Sequence, residues 1–347
     1  MLTTDLIEHI LATIPTKTVG LLGDLFLDRY LDIDPALDEL SVETGLTAYQ
    51  VARVRSYPGA LGTVLNNLAA LGVGRIVPIA VIGDDGEGYE LRQALGRMPA
   101  VELGGLVIAA GRRTPTYTKP MRGTEELNRL DIKNRTPTPA ALEDAVLKRL
   151  DEAWPRLDAL IVLDQVSEED CGVVTRRIRD RLAVVANGDP AKFVLADSRE
   201  RIWNFWNVSV KPNERECHGL REWGGATLTE EELDYQVWQQ LNRIGRPIFV
   251  TEGKLGIKLF TTCTGGWQTR RALAYPVSGP IDIVGAGDSC SAGITCAMAS
   301  GATHEQAAAF GNLVASITIQ QIGTTGAAFP EQVRQRWREV QPGERGA

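Results

Sequence analysis

Histidine and paired cysteine are scarce in this chain: three histidines and five cysteines, at 171, 217, 263, 290 and 296, occur in 347 residues. No two cysteines form a C-x-x-C pair, so a disulfide framework and a structural zinc site both lack their ligand pattern, and the spacing points to free thiols in a reducing compartment. Long apolar runs are missing too. No stretch reaches 18 apolar residues, and the first 18 residues carry Asp5, Glu8 and Lys17 without a cleavage signal, so neither a membrane span nor a secretory leader is expected and the chain reads as cytoplasmic. Positive charge is short: 37 Lys and Arg against 44 Asp and Glu leave a net charge of -7, which offers nucleic acid no basic surface. Three nucleotide and nucleophile motifs are also absent. The nearest approach to a P-loop, Gly253-Lys254, has Ile248 in place of the leading glycine and Leu255 in place of the hydroxyl residue, and neither G-x-G-x-x-G after a first strand nor G-x-S-x-G occurs.

What is present is an alternation. Apolar runs suited to buried strands lie at 19–23, 76–82, 159–164, 193–197, 208–211 and 248–251, and helical periodicity lies at 61–71, 139–154, 168–186 and 229–244. That order predicts an α/β fold, a mainly parallel central sheet with helices on both faces. Asp24, Asp164, Asp197, Asn213 and Thr251 fall at or just past strand C-termini, the edge where such sheets bind ligands, although each alone also reads as a loop polar group or helix cap. Two stretches, at about 32–57 and 106–131, lack helical periodicity and contain strand-like alternation. They are expected to build a small second sheet, a lid on one main domain spanning 1–347, and a surface for a homodimer. No internal repeat or interdomain linker is evident.

Three motifs carry chemistry. Gly285-Ala286-Gly287-Asp288 opens an uncharged segment with helical character, so backbone N–H groups could hold an anion beside a carboxylate base; Asp288 could equally be a plain helix cap. Asn213 and Glu216, three apart after a strand, could share a hydrated Mg²⁺ and phosphates, and they also spell a capping box. Thr251, Gly253 and Gly256 could let backbone approach a nucleotide, or form a hairpin turn.

Taken in order, Gly23-Asp24, Pro58-Gly59 before a helix, Thr116-x-x-Lys119, Asn213-x-x-Glu216, Thr251-x-Gly253 and Gly285-Ala286-Gly287-Asp288 resemble the ribokinase-like, or PfkB, carbohydrate kinase family from about residue 19 to 328. The run 23–30, Asn128-Arg129-Leu130-Asp131 and Gln321-Ile322-Gly323-Thr324-Thr325 are similar to the bacterial heptose-phosphate kinase group, without the nucleotidyltransferase half fused to some of its members. The resemblance implies a ribokinase-like fold with a β-sheet lid and an ATP- and Mg²⁺-dependent kinase acting on a sugar or phosphosugar, with K⁺ as a further candidate cofactor. It implies Asp288 as general base and Gly285, Ala286 and Gly287 as the anion hole. It gives Asn213 and Glu216 to Mg²⁺ and phosphates, Thr251, Gly253 and Gly256 to the nucleotide loop, Asn312 to the adenine side and Asp24 to bidentate binding of sugar hydroxyls.

The sugar site departs from the family pattern. Where two glycines and, three residues later, an asparagine are usual, the chain has Gly59, Ala60 and Thr63, which alters shape and hydrogen bonding and implies a changed acceptor. Lys119, Arg122 and Arg129 on the lid could meet a phosphate already on the substrate, or form a solvated basic face. A kinase of a nucleoside or vitamin-like alcohol, and a catalytically silent sugar-binding protein, remain open alternatives.

Overall fold

The structure, a computed structural model, describes residues 1–221, 229–323 and 325–341. Thr324, part of the late motif, lies outside the described residues.

The apolar runs assemble as their spacing predicts. Eight strands lie in the order Gly266–Ala272, Ile257–Cys263, Ile248–Thr251, Ser209–Val210, Phe193–Ser198, Ala159–Asp164, Thr18–Gly23 and Arg75–Ile79. The six from Arg75–Ile79 to Ile248–Thr251 are parallel, and the final hairpin runs antiparallel. Successive side chains point to opposite faces, and both faces are covered: Leu21, Ile161 and Leu195 enter one core, while Leu22, Val162 and Ala196 enter the other. Such strands have no solvent side, which is why they read as unbroken apolar runs. The first core is closed by helices Thr4–Thr13, Leu61–Leu71, Ala286–Ala299, His304–Thr318 and Pro330–Val340, and the second by Ala140–Ala153, Arg176–Gly188 and Glu230–Ile244.

Two expected elements change. The helix foreseen over 168–186 starts only at Arg176, where Thr175 Oγ1 accepts the Ile178 N–H. The preceding chain stays irregular while the Asp24 carboxylate takes the N–H groups of Gln165, Val166 and Val173. The run at 76–82 divides: Arg75–Ile79 joins the main sheet, and Val81–Gly83 pairs with Val107–Ala109.

The second sheet is built from Glu125–Glu126, Thr116–Arg122, Leu25–Ile33 and Val51–Ala60 in that order, with Leu130–Ile132 also on Thr116–Arg122. It takes in Leu25–Ile33, ahead of the stretch marked in sequence, because the chain runs from Gly23-Asp24 directly into it. Val54 on this sheet is exposed, as are Val42 and Leu46 in the loop of a separate two-stranded pair, Glu39–Leu40 with Thr47–Ala48. Among the described residues no helix is long and apolar enough to cross a membrane.

Candidate active site

The glycine-rich turn forms the mouth of the helix Ala286–Ala299. Gly285 caps it at φ +80, a left-handed conformation that suits glycine, and no side chain caps the helix. Asp288 is therefore a first-turn residue and not the cap. Among the described residues no backbone acceptor is found for the N–H groups of Gly287 and Asp288, the free donors expected at a helix start. Asp282 holds the turn, its Oδ1 accepting the Val284 N–H at 3.0 Å and its Oδ2 the Gly323 N–H at 3.1 Å.

Behind this turn lies a charge cluster. Lys211 ends the strand Ser209–Val210 and is buried, with Nζ 2.7 Å from Asp197 Oδ2, itself at the end of the neighbouring strand. A methyl placed on Gly287 would sit 3.6 Å from the same Nζ, so the ammonium stands directly behind the anion turn. Burial, reinforced by the Asp197 charge, pushes Asp288 up to about 7, against the pull of Lys211 and Arg199. Glu216 is pushed up to about 7 by the same two causes. Three carboxylates thus gather near the cations of Lys211 and Arg199, leaving an excess of one negative charge that a proton or an added cation would balance. The sequence reading took Lys211 only as a strand end; a lysine closing a buried apolar run is the signal that marks it.

Asn213 and Glu216 do form the capping box. The Asn213 N–H and amide donate to the two Glu216 oxygens at 2.8 Å each, and the Glu216 N–H donates to Asn213 Oδ1 at 2.9 Å. Both residues also border an open space shared with Arg199 and Arg215, so the cap leaves them accessible. Thr251 is tied to Pro212, its N–H donating to the Pro212 carbonyl at 2.9 Å. Gly253 and Gly256 adopt φ +52 and +96 in the connection of the hairpin Ile248–Thr251 with Ile257–Cys263, as the turn reading expected. A side chain at Gly256 would meet the Ala272 carbonyl at 2.1 Å. The Asn312 amide donates to the carbonyls of Ala272 and Leu273, holding the same wall. Asp197, Asn213, Thr251, Gly253, Gly287 and Asn312 border one cleft of about 520 Å³, a size that accepts a nucleotide.

The other end of the site is organised differently. Asp24 is buried and its carboxylate accepts three backbone N–H groups, so about one of its four acceptor positions is left for a sugar hydroxyl. Burial, then the charge of Asp164, raises it to about 6. Asp164 is engaged by Ser198 Oγ at 2.7 Å and by the Arg201 guanidinium at 2.8 and 3.1 Å. The Asp28 carboxylate packs over Gly59, and a methyl there would lie 2.2 Å from Asp28 Oδ2 and displace it. Ala60 begins the helix Leu61–Leu71 at φ +52, ψ -112, a conformation that disfavours a β-carbon. Thr63 is buried in the first turn, and a methyl on Gly285 would approach its Cγ2 to 3.5 Å, so the start of this helix and the glycine-rich turn abut. Lys119 lies against Glu126, 3.9 Å away, and the Tyr30 ring. Arg122 faces Asp38 at 3.9 Å and the Tyr49 ring, and Arg129 grips Asp131 through two hydrogen bonds.

A parallel sheet with a ligand cleft at its C-terminal edge, capped by a strand lid, defines a ribokinase-like α/β protein. The chain belongs to the pfkB family of carbohydrate kinases, whose pattern matches residues 28–332. Among its relatives, the bifunctional protein HldE of Caulobacter sp. (strain K31) is 30% identical over 324 residues, covering 91% of this chain and 62% of the relative. HldE of Paramagnetospirillum magneticum is 27% identical over 314 residues, with 90% and 61% covered, so this chain spans about three fifths of their length. The fold matches Arabidopsis thaliana ribokinase complexed with ribose and ATP at a TM-score of 0.66 and 17% identity, over 92% of this chain and 98% of that one. It matches Escherichia coli phosphofructokinase-2 in complex with substrates and products at 0.69 and 16%, over 93% and 99%.

Proposed function

We propose that this protein transfers the γ-phosphate of ATP to a hydroxyl of a sugar or phosphosugar. The observation that carries the proposal is Asp288, a carboxylate raised to about 7, one turn inside a helix mouth whose N–H groups are free and whose rear is guarded by Lys211. In the reaction Asp288 takes the acceptor's hydroxyl proton as the oxygen attacks the γ-phosphorus. The bond from that phosphorus to the β–γ bridging oxygen breaks, and ADP leaves. The N–H groups of Gly287 and Asp288 hold charge on the transferring group, and the Lys211 ammonium adds to the same field.

The donor set fits Mg²⁺ brought in with the nucleotide. Among the described residues no three acidic, histidine or cysteine side chains converge to hold an ion, so the chain supplies part of a shell and phosphates and water the rest. Glu216, with Asn213 beside it, would take that role, and the excess carboxylate charge around Asp197 favours a cation there. When bound, Mg²⁺ neutralises phosphate charge.

Replacing Asp288 with Asn tests the reading. ATP consumption in the presence of a panel of sugars should fall by about 10²- to 10⁴-fold, with ATP affinity changed little, and the wild-type kcat/KM should rise with pH through about 7 as the base ionises. Residual turnover combined with a large loss of ATP binding would remove Asp288 from the chemistry.

A further inference from the structure

The edge of the main sheet away from Asp288 holds a second cavity, of about 230 Å³. It exists because one strand is short. Ser209–Val210 meets Phe193–Ser198 only from Leu195 onward, so Phe193 and Val194 run past its start with a gap beside them. Ser209 faces the helices Ala286–Ala299 and His304–Thr318, because Val208 and Val210, on either side of it, enter the other core. Phe193, Leu195 and Phe249 share the Ser209 face, so a hydroxyl there is out of pattern. Ser209 is 3% exposed, and among the described residues its Oγ has no hydrogen-bond partner. A buried hydroxyl left so costs stability unless something outside the protein meets it.

The groups around Ser209 narrow what that is. On the same side the His304 ring sits 6.5 and 6.3 Å from the rings of Phe193 and Phe249. Burial, then the charge of Arg246, lowers its pKa, so the imidazole is neutral and offers one donor and one acceptor, neither partnered among the described residues. Arg246 borders the cavity while donating to the carbonyls of Pro190 and Ala186 at 3.1 and 3.5 Å, and among the described residues no carboxylate lies within 4 Å of it. The other cation on the wall, Lys192, is matched by Asp189 at 3.4 Å. Phe193, and Met298 at the end of the helix Ala286–Ala299, supply apolar surface. One unmatched positive charge suits a monoanion better than a dianionic phosphate, and the planar guanidinium fork matches a carboxylate. The apolar walls suit a flat body, and the buried hydroxyl a polar group on it. The cavity is separate from the candidate active site. Met298 and Asp288 stand near opposite ends of one helix, about 15 Å apart along its axis. Phe193 and Asp197 stand near opposite ends of one strand, about 13 Å apart.

We infer that this cavity binds a small organic monocarboxylate, with the carboxylate on Arg246 and a polar group of its flat apolar body at Ser209 and His304. The site goes beyond the kinase reading and does not rest on it. The probes are 4-hydroxybenzoate and benzoate. The controls are 4-hydroxybenzamide, which keeps the shape without the charge, and inorganic phosphate, which keeps charge without the body. Titration calorimetry of the whole chain without nucleotide should give a Kd of about 0.1–1 mM for 4-hydroxybenzoate, with benzoate a few-fold weaker and both controls at least about tenfold weaker. Arg246→Met should weaken 4-hydroxybenzoate binding by about 10- to 100-fold, and Ser209→Ala by about 2- to 10-fold while removing its advantage over benzoate. Because Arg246 also holds two carbonyls, Arg246→Lys is measured beside it; keeping the charge, it should lose less affinity. Ser209→Ala removes a hydroxyl without a protein partner, so its thermal midpoint without ligand should equal or exceed that of the wild type. Saturating Mg²⁺ and ATP should leave the probe's affinity unchanged. Failure of both carboxylates to bind, equal binding of the amide, tighter binding of phosphate, or displacement by Mg²⁺ and ATP overturns the assignment. So does binding that survives both Arg246→Met and Ser209→Ala.

Discussion

At the glycine turn the carboxylates of Asp288, Asp197 and Glu216 gather around the cations of Lys211 and Arg199, whereas on the lid Lys119, Arg122 and Arg129 each have a carboxylate within 4 Å. The first end carries carboxylates in excess, the lid cations are matched by the protein itself, and the two regions touch at Thr63 and Gly285. On the proposed reading the first end is that of the nucleotide and the second that of the acceptor, and the carboxylate excess suits a cation arriving with phosphates. The resemblance to the family pattern follows the same division: it holds from Asn213 to Asp288 apart from Ile283 and Val284, where hydroxyl side chains are common, and it departs at Ala60 and Thr63. On the proposed reading one end supplies the family's reaction, and the other a pocket altered for its acceptor.

The largest effect should come from breaking the charge pair at the nucleotide end. Lys211→Met leaves Asp197 buried and unpaired, which destabilises the fold by about 3–5 kcal/mol and should abolish turnover. The double variant Lys211→Met/Asp197→Leu removes the orphaned charge and should recover most of the stability, read by denaturant unfolding, while remaining inactive. Recovery of activity along with stability would make the pair purely structural and dissolve the contrast.

A smaller effect is expected with pH. Asp288, Glu216 and Asp24 have folded values near 7, 7 and 6, above their ordinary range. Between about pH 4 and 7 the native state keeps protons that the unfolded chain has shed, so these three groups make stability fall as pH rises through that window. Two of the three lie at the nucleotide end, so Asp288→Asn should flatten the fall in thermal midpoint between pH 5 and 8. Mg²⁺ with ATP should stabilise more at pH 8 than at pH 6, because Glu216 must lose its proton to meet a cation. An unchanged pH slope in Asp288→Asn would place the surplus charge elsewhere.

The nucleotide end was more legible in sequence because its functional groups are local. Gly285, Gly287 and Asp288 are consecutive, Asn213 and Glu216 share one helical turn, and each motif needs only its own backbone to act. The sheet was legible for a similar reason, since strands buried on both faces announce themselves as apolar runs. The acceptor end depends on long-range pairings that no spacing encodes. Asp24 draws on Gln165, Val166 and Val173, about 140 residues away, and in doing so holds back the start of the helix that periodicity had placed at 168. Which lid cations are already paired is likewise a tertiary fact: Lys119, Arg122 and Arg129 each have a carboxylate within 4 Å, Glu126, Asp38 and Asp131.

The smallest effect is expected at Ala60, where the two ends can be separated without touching a charge. Its φ of +52 and ψ of -112 hold a β-carbon in a region suited to glycine, a strain of about 1–3 kcal/mol that a glycine would relieve, less the greater freedom glycine gains in the unfolded chain. Ala60→Gly should therefore stabilise by about 1 kcal/mol net. Removing the methyl also opens the start of the helix Leu61–Leu71 to closer approach by an acceptor, so KM values across a panel of neutral sugars should shift while the KM for ATP stays fixed. If the variant changes ATP binding as much as sugar binding, the junction at Thr63 and Gly285 transmits strain between the ends and the two must be treated as one site. If only the sugar terms move, the methyl belongs to acceptor selection, and the strain at Ala60 accompanies a pocket reshaped around a different substrate.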